Sequence, residues 1–136
     1  LSAIAMPELC ESFSQRQATA YMNAGKVVMM QDVLGLREII AGCDLVNADG
    51  QSIVWAGRLL GLPVPERVAG IDLMERLLAL AEERRYRVFF LGATDEVLAG
   101  FTAEVLRRFP GIRIAGTHNG YFTDDEEIAA RIAASG

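Results

Sequence analysis

CDLVNADGQSIVWAGRL, residues 43–59, is the stretch that decides the fold. Leu45 and Val46 form an apolar run that leads through Asn47 and Ala48 into Asp49 and Gly50. A helical pattern starts at once and runs until Gly61 and Pro63 stop it. Strand, acidic turn, helix is the unit from which α/β proteins are built. A carboxylate at that junction has two readings. It caps the helix by accepting from its first amides, or it serves as a base at the carboxyl end of a strand, where open α/β sheets hold their ligands. Asp-Gly is also a common turn pair, and position alone does not separate these roles.

The same alternation extends in both directions. ATAYM, residues 18–22, reads as a short strand, and AGKVVMMQDVLGLREIIAGC, residues 24–43, as two helical segments that break around Gln31 and Asp32. Upstream, SAIAMPELCESFSQRQ reads as an extended entry and a helix, with Pro7 suited to its first turn. Downstream, Asp72 and Glu75 have the spacing of a capping box, and Leu73, Leu77 and Leu80 recur at helical intervals. RVFFLG is wholly apolar after its arginine, as a strand buried on both faces of a parallel sheet must be. Thr94 is placed to cap the next helix, which is expected to end near Phe109. GIRIAG is a further strand, and Thr123 with Glu126 suggests a capping box for the last helix. The pattern predicts an α/β fold, a Rossmann-like, mostly parallel sheet with helices on both faces, in which DLVNA, RVFFLG and GIRIAG are core strands near one another. There is no internal repeat and no low-complexity linker, so residues 1–136 read as one domain. Its last helix is followed by no returning strand, and the domain is expected to be cut short there.

Just over half of the 136 residues are apolar, which excludes a disordered chain. A net charge of −5 argues against a nucleic-acid binder, since nothing would neutralise a row of phosphates. Cys10 and Cys43 are too far apart for a zinc or redox pair and are expected as buried thiols in a reducing cytoplasm. No apolar stretch reaches the length of a membrane span.

Polar residues collect at the strand-to-helix junctions. In AYMNAGK, Tyr21, Asn23 and Lys26 follow the first strand; Asn23 suits a helix cap or a hydrogen bond to a sugar hydroxyl. In PERVAG, Arg67 precedes Gly70 and a helix. Arginine grips a diphosphate with two parallel bonds, although a surface ion pair with Glu66 or Asp72 is the commoner fate. In FFLGATDEV, a buried strand ends at Gly92 and Ala93 just before a helix N-terminus, where backbone amides can receive a phosphate. It is not GxGxxG, so a dinucleotide site is poorly supported. In AGTHNGYF, the only histidine, His118, lies in a loop with Asn119, Gly120 and Tyr121; a lone histidine makes no metal site. Trp55 and the set Met22, Met29 and Met30 read as core filling.

In order and spacing, YMNAGKVVMM, LVNADGQSIVWA, ERVAGIDLMERLL, VFFLGATDEV and FPGIRIAGTHNGYF closely resemble the WecG/TagA/CpsF family of bacterial glycosyltransferases, over nearly the whole chain. The most specific parts are the strand–Asp–Gly unit, Arg-Val-x-Gly-x-Asp-Leu and Gly-Tyr-Phe. The resemblance implies inverting transfer of a sugar, N-acetylmannosamine or another hexose, from a UDP-sugar to a lipid-diphosphate-linked saccharide, in synthesis of bacterial surface polysaccharides. It implies no metal, no other cofactor and no nucleic acid. It places the protein in the cytoplasm at the inner face of the membrane, held there through a C-terminal region not in this chain, and is compatible with a homo-oligomer. Asp49 stands at the family's general base. Tyr21, Asn23, Gly50, Arg67, Gly70 and Asp72 fall on the substrate side. Gly92, Ala93, His118, Gly120 and Tyr121 fall on the nucleotide side. Two departures stand out. Tyr21 occupies a position where the family usually has threonine, and the family's later Gly-Ala-Pro-x-Gln-Glu motif does not occur.

The residues suit that chemistry. One carboxylate takes the acceptor hydroxyl's proton as its oxygen attacks the anomeric carbon. An arginine and helix-end amides stabilise the charge on the departing diphosphate. The rival readings are a non-catalytic domain binding a nucleotide or sugar nucleotide, and a Rossmann-like oxidoreductase, against which the absent GxGxxG counts.

Overall fold

The computed structural model describes residues 18–64 and 67–136. Four strands and six helices alternate along them: β1 (Thr19–Met22), α1 (Ala24–Asp32), α2 (Leu36–Ala41), β2 (Leu45–Ala48), α3 (Gln51–Leu59), α4 (Gly70–Arg84), β3 (Arg87–Leu91), α5 (Asp95–Arg108), β4 (Arg113–His118) and α6 (Asp125–Ala134). The strands pair in parallel, β1 with β2 and β3 with β4. The expected α/β class with parallel strands is therefore what the chain adopts. The chain divides into two compact units, Leu1–Arg76 and Leu77–Gly136.

In the first unit, Thr19 pairs with Leu45, Ala20 with Val46, Tyr21 with Asn47 and Met22 with Ala48. Side chains alternate across a strand. Thr19, Tyr21, Leu45 and Asn47 therefore share one face, and Ala20, Met22, Val46 and Ala48 the other. On the first face Tyr21 lies against Gly70 at the start of α4; a Cβ on Gly70 would sit 3.8 Å from the ring. On the second, Met22, Val46 and Ala48 border a cavity together with Val27 of α1 and Ile53 of α3. Helices thus flank both sides of this strand pair. Ile40, Leu45, Ala48, Val54, Val68 and Leu73 are its buried apolar residues among those described, Leu73 completely so.

In the second unit, the buried cluster Leu78, Ala81, Val105 and Ile112 is joined by Val88, Phe90, Phe101, Phe109 and Ile114. Phe90 and Phe101 meet edge to face with centroids 5.1 Å apart, a favoured aromatic geometry. The register shifts between Val88 and Phe89. Gly116, the partner of Phe89, leaves room for that ring, whose nearest atom would be 2.7 Å from an added Cβ.

Several local expectations are revised. α4 starts at Gly70, which puts Asp72 inside its first turn rather than at its cap. Asp124, not Thr123, caps α6, accepting from the Glu127 amide. Trp55 is 64% exposed and Met29 50%, so neither fills the core. Cys43 is only half-buried, with its thiol donating to the Ile39 carbonyl. The entry helix, Pro7 and Cys10 lie outside the described residues.

Candidate active site

Three segments of the first unit converge at one end of its strand pair. The Asp49 amide donates to the Met22 carbonyl at 2.8 Å, and the Ala48 carbonyl accepts from the Val68 amide at 2.9 Å. Successive residues of a strand point their polar groups to opposite edges. β2 is therefore flanked by the end of β1 on one edge and by residues 67–69 on the other. Tyr21, Asn23, Asp49, Gly50, Arg67 and Gly70 are brought together this way, with Asp72 one turn into α4.

Asp49 is half-buried. The N-cap position of α3 is Gly50, with φ 128° and no side-chain capping bond. The Asp49 carboxylate is thus not a helix cap. It is near enough to Tyr21 to act on it: burial first, and then the Asp49 charge, hold the Tyr21 phenol above its usual pKa. Tyr21 accordingly stays a neutral O–H donor near neutral pH. Asn23 does cap: its Oδ1 accepts from the Lys26 amide at 2.9 Å, which fixes the start of α1. The Lys26 ammonium then folds back to donate to the Tyr21 carbonyl at 2.8 Å. Arg67 is exposed and pairs with no described carboxylate.

Sequence reasoning missed two groups on the Tyr21 face. Asn47 is 2% exposed and its Nδ2 has no partner, and Thr19 Oγ1 is likewise buried and unpaired. A buried orphan of this kind is costly. The available signal was an amide side chain inside the otherwise apolar strand LVNA.

In the second unit, the turn after β3 and the segment after β4 are bonded together. The Gly92 amide donates to the His118 carbonyl at 3.0 Å and the Gly120 amide to the Ala93 carbonyl at 2.9 Å. Asn119 donates to both Asp95 oxygens, at 3.1 and 3.2 Å, while its own oxygen accepts from the Tyr121 amide at 3.0 Å. Gly92 has φ 141° and Ala93 φ 57°, in the left-handed region where only glycine is at ease. Gly120 approaches so closely that a Cβ there would lie 3.1 Å from the Gly92 Cα. Thr94 caps α5 through the Val97 amide, as its sequence position suggests. His118 is the last residue of β4, not a loop residue; its Nδ1 meets the Asn119 carbonyl at 2.8 Å and its ring packs edge-on to Phe122. Tyr121 projects outward, 79% exposed. Gly92, Ala93, His118, Gly120 and Tyr121 are thus one local cluster.

Among the described residues no group of three His, Cys, Asp or Glu side chains could hold a metal, and no helix is long and apolar enough to cross a membrane.

Comparison with known proteins bears on the same segments. The model of the glycosyl transferase WecG/TagA/CpsF family matches residues 1–136. An N-acetylglucosaminyldiphosphoundecaprenol N-acetyl-beta-D-mannosaminyltransferase of Bacillus spizizenii is 42% identical over 91% of this chain and 52% of its own length. The protein of the same name from Bacillus subtilis strain 168 is 30% identical over 71% of this chain and 38% of its own. The chain therefore spans about half the length, or less, of these relatives. With a family match along its whole length, this chain belongs to the WecG/TagA/CpsF glycosyl transferase family.

Proposed function

We propose that residues 1–136 act as one glycosyltransferase domain of an inverting, metal-independent enzyme. It moves an N-acetylmannosamine-like hexose from a UDP-sugar to a lipid-diphosphate-linked saccharide, at the cytoplasmic face of the membrane, in surface polysaccharide synthesis. The observation that carries this reading is the Asp49 carboxylate: half-buried at a strand end, beside Tyr21, and not used to cap α3.

In this reading the Asp49 carboxylate takes the proton of the acceptor hydroxyl as that oxygen bonds to the anomeric carbon. The bond from that carbon to the diphosphate oxygen breaks, and UDP leaves with the electron pair. Attack from the face opposite the leaving group inverts the centre. Arg67, exposed and paired with no described carboxylate, meets the growing phosphate charge. Tyr21, Asn23, Gly50, Gly70 and Asp72 shape the substrate side. In the second unit the Gly92 and Gly120 amides are already used within the fold. Those glycines, with Ala93 and His118, therefore give the second unit a surface of fixed shape for a nucleotide, and the exposed Tyr121 ring offers a face to the base. The similarity to two N-acetylmannosaminyltransferases supports the transferred sugar and the acceptor class.

The test is Asp49→Asn in the natural-length protein, assayed with UDP-sugar and lipid-linked acceptor. Turnover is expected to fall about a hundredfold or more, while UDP-sugar binding persists. Transfer at a near wild-type rate would remove Asp49 from the chemistry. Binding of UDP-sugar with no transfer by the wild type would favour a non-catalytic binding domain instead.

A further inference from the structure

The strand pair of the first unit has a second face, and nothing in the reaction above uses it. Met22, Val46 and Ala48 line it, and with Asn47, Val27, Ile53, Leu62, Pro63 and Val64 they border a cavity of about 390 Å³. That is the size of an ordinary small-molecule site, and its walls are almost wholly apolar. Val27 and Leu62 remain 42% and 55% exposed, so it opens to solvent. Its inner wall ends at Met22 and Ala48, the residues immediately before Asn23 and Asp49. Lys26 precedes Val27 in α1; its ammonium reaches the Tyr21 carbonyl in β1, at 2.8 Å, and pairs with no described carboxylate. Around one strand end, then, come a carboxylate on the Tyr21 face, a cation at the end of β1, and an apolar cavity on the opposite face.

That order matches the chemistry of a polyprenyl-diphosphate-linked sugar: hydroxyl, diphosphate, isoprenoid. We infer that the cavity holds the isoprene units next to the diphosphate of the acceptor lipid, with Lys26 on the diphosphate. The inference rests on the glycosyltransferase reading for the identity of the ligand, but not for the site. A branched apolar chain gains by leaving water for such walls. A diphosphate gains from an ammonium that has no competing carboxylate.

The probe is farnesyl diphosphate, below the concentration at which it forms micelles, titrated calorimetrically into the natural-length protein. Inorganic diphosphate and farnesol are titrated in parallel. Farnesyl diphosphate is expected to bind saturably and at least about tenfold tighter than inorganic diphosphate. Leu62→Asp and Val27→Asp, both at exposed positions where folding should survive, place a carboxylate at the cavity mouth. Each should weaken farnesyl diphosphate about tenfold or more. Lys26→Gln should weaken farnesyl diphosphate but not farnesol. Thermal unfolding checks that each variant is folded; if one is not, Leu62→Gln replaces it. Equal affinity for farnesyl and inorganic diphosphate, or folded aspartate variants that bind like wild type, would overturn the cavity. Retained farnesyl diphosphate binding in a protein that transfers no sugar would leave the cavity standing and sink the catalytic reading alone.

Discussion

The two units treat the ends of their strands in opposite ways. In the second, the turns after β3 and β4 are tied together: Gly92 to His118, Gly120 to Ala93, Asn119 to Asp95 and Tyr121, Thr94 to Val97. In the first, several polar groups near the strand ends are left over. Asp49 caps nothing, Arg67 pairs with no described carboxylate, and Asn47 Nδ2 and Thr19 Oγ1 are buried without partners. A closed set of bonds makes a rigid surface of fixed shape, which suits recognition. Unspent groups carry a cost in stability, which is tolerable where a substrate will use them. On the proposed reading, the residues given chemistry are marked by the bonds they do not make.

The sharpest way to break the contrast is to neutralise one carboxylate in each unit. Asp49→Asn should lose about a hundredfold or more in turnover, with little change in melting temperature, since no capping bond goes with it. Asp95→Asn, which weakens the grip of Asn119, should hold turnover within a few fold and act mainly on loop order. Equal kinetic effects from the two would erase the distinction.

Next in size is Gly120→Ala. The added methyl would lie 3.1 Å from the Gly92 Cα and 3.2 Å from the Ala93 amide nitrogen, both backbone atoms that cannot turn aside. Overpacking of this kind costs about 1–3 kcal/mol. Denaturant unfolding should show that loss, and UDP-sugar binding should weaken as the two segments part. Unchanged stability would mean that the clamp is loose.

Asn47→Leu probes the opposite situation. The amide is buried and its nitrogen is orphaned. An apolar side chain of similar volume removes that debt, so stability should hold or rise by about 1 kcal/mol. A loss greater than about 1 kcal/mol in denaturant unfolding would show that the amide has a partner in solution.

The sequence made the class of fold plain, because apolar runs such as RVFFLG and stops such as Gly61–Pro63 act locally. Asn23 and Thr94 were legible as caps for the same reason: a cap is set by residues three positions apart. Within TDDEE, however, Thr123 and Asp124 are both good caps, and only the path of the incoming chain selects Asp124. Trp55 was misjudged because its helix does not turn that residue inward, which no spacing rule fixes by itself. The Asn119–Asp95 link joins residues 24 apart, and the cavity draws on α1, β1, β2 and α3 together. Neither exists until the strands are paired. Of the candidate site, residue types and junctions were readable; which carboxylate is spent and which is free was not.

The smallest expected effect is also the most direct report on the first unit's cluster. Burial, and secondly the Asp49 charge, raise the Tyr21 pKa above its usual value of 10.0. The folded chain therefore keeps this proton at a pH where the unfolded chain has released it. Stability from this group is complete below about pH 10 and declines as pH rises through the folded value. A difference titration of tyrosinate absorbance, wild type minus Tyr21→Phe, isolates the group. Asp49→Asn removes the lesser cause and leaves burial, so the midpoint should move down but stay above the usual value. Gly120→Ala, in the other unit, should leave it where it was. A midpoint indifferent to Asp49→Asn would mean that the phenol and the carboxylate do not sense each other, and that the cluster at the end of β2 is not the compact group its geometry describes.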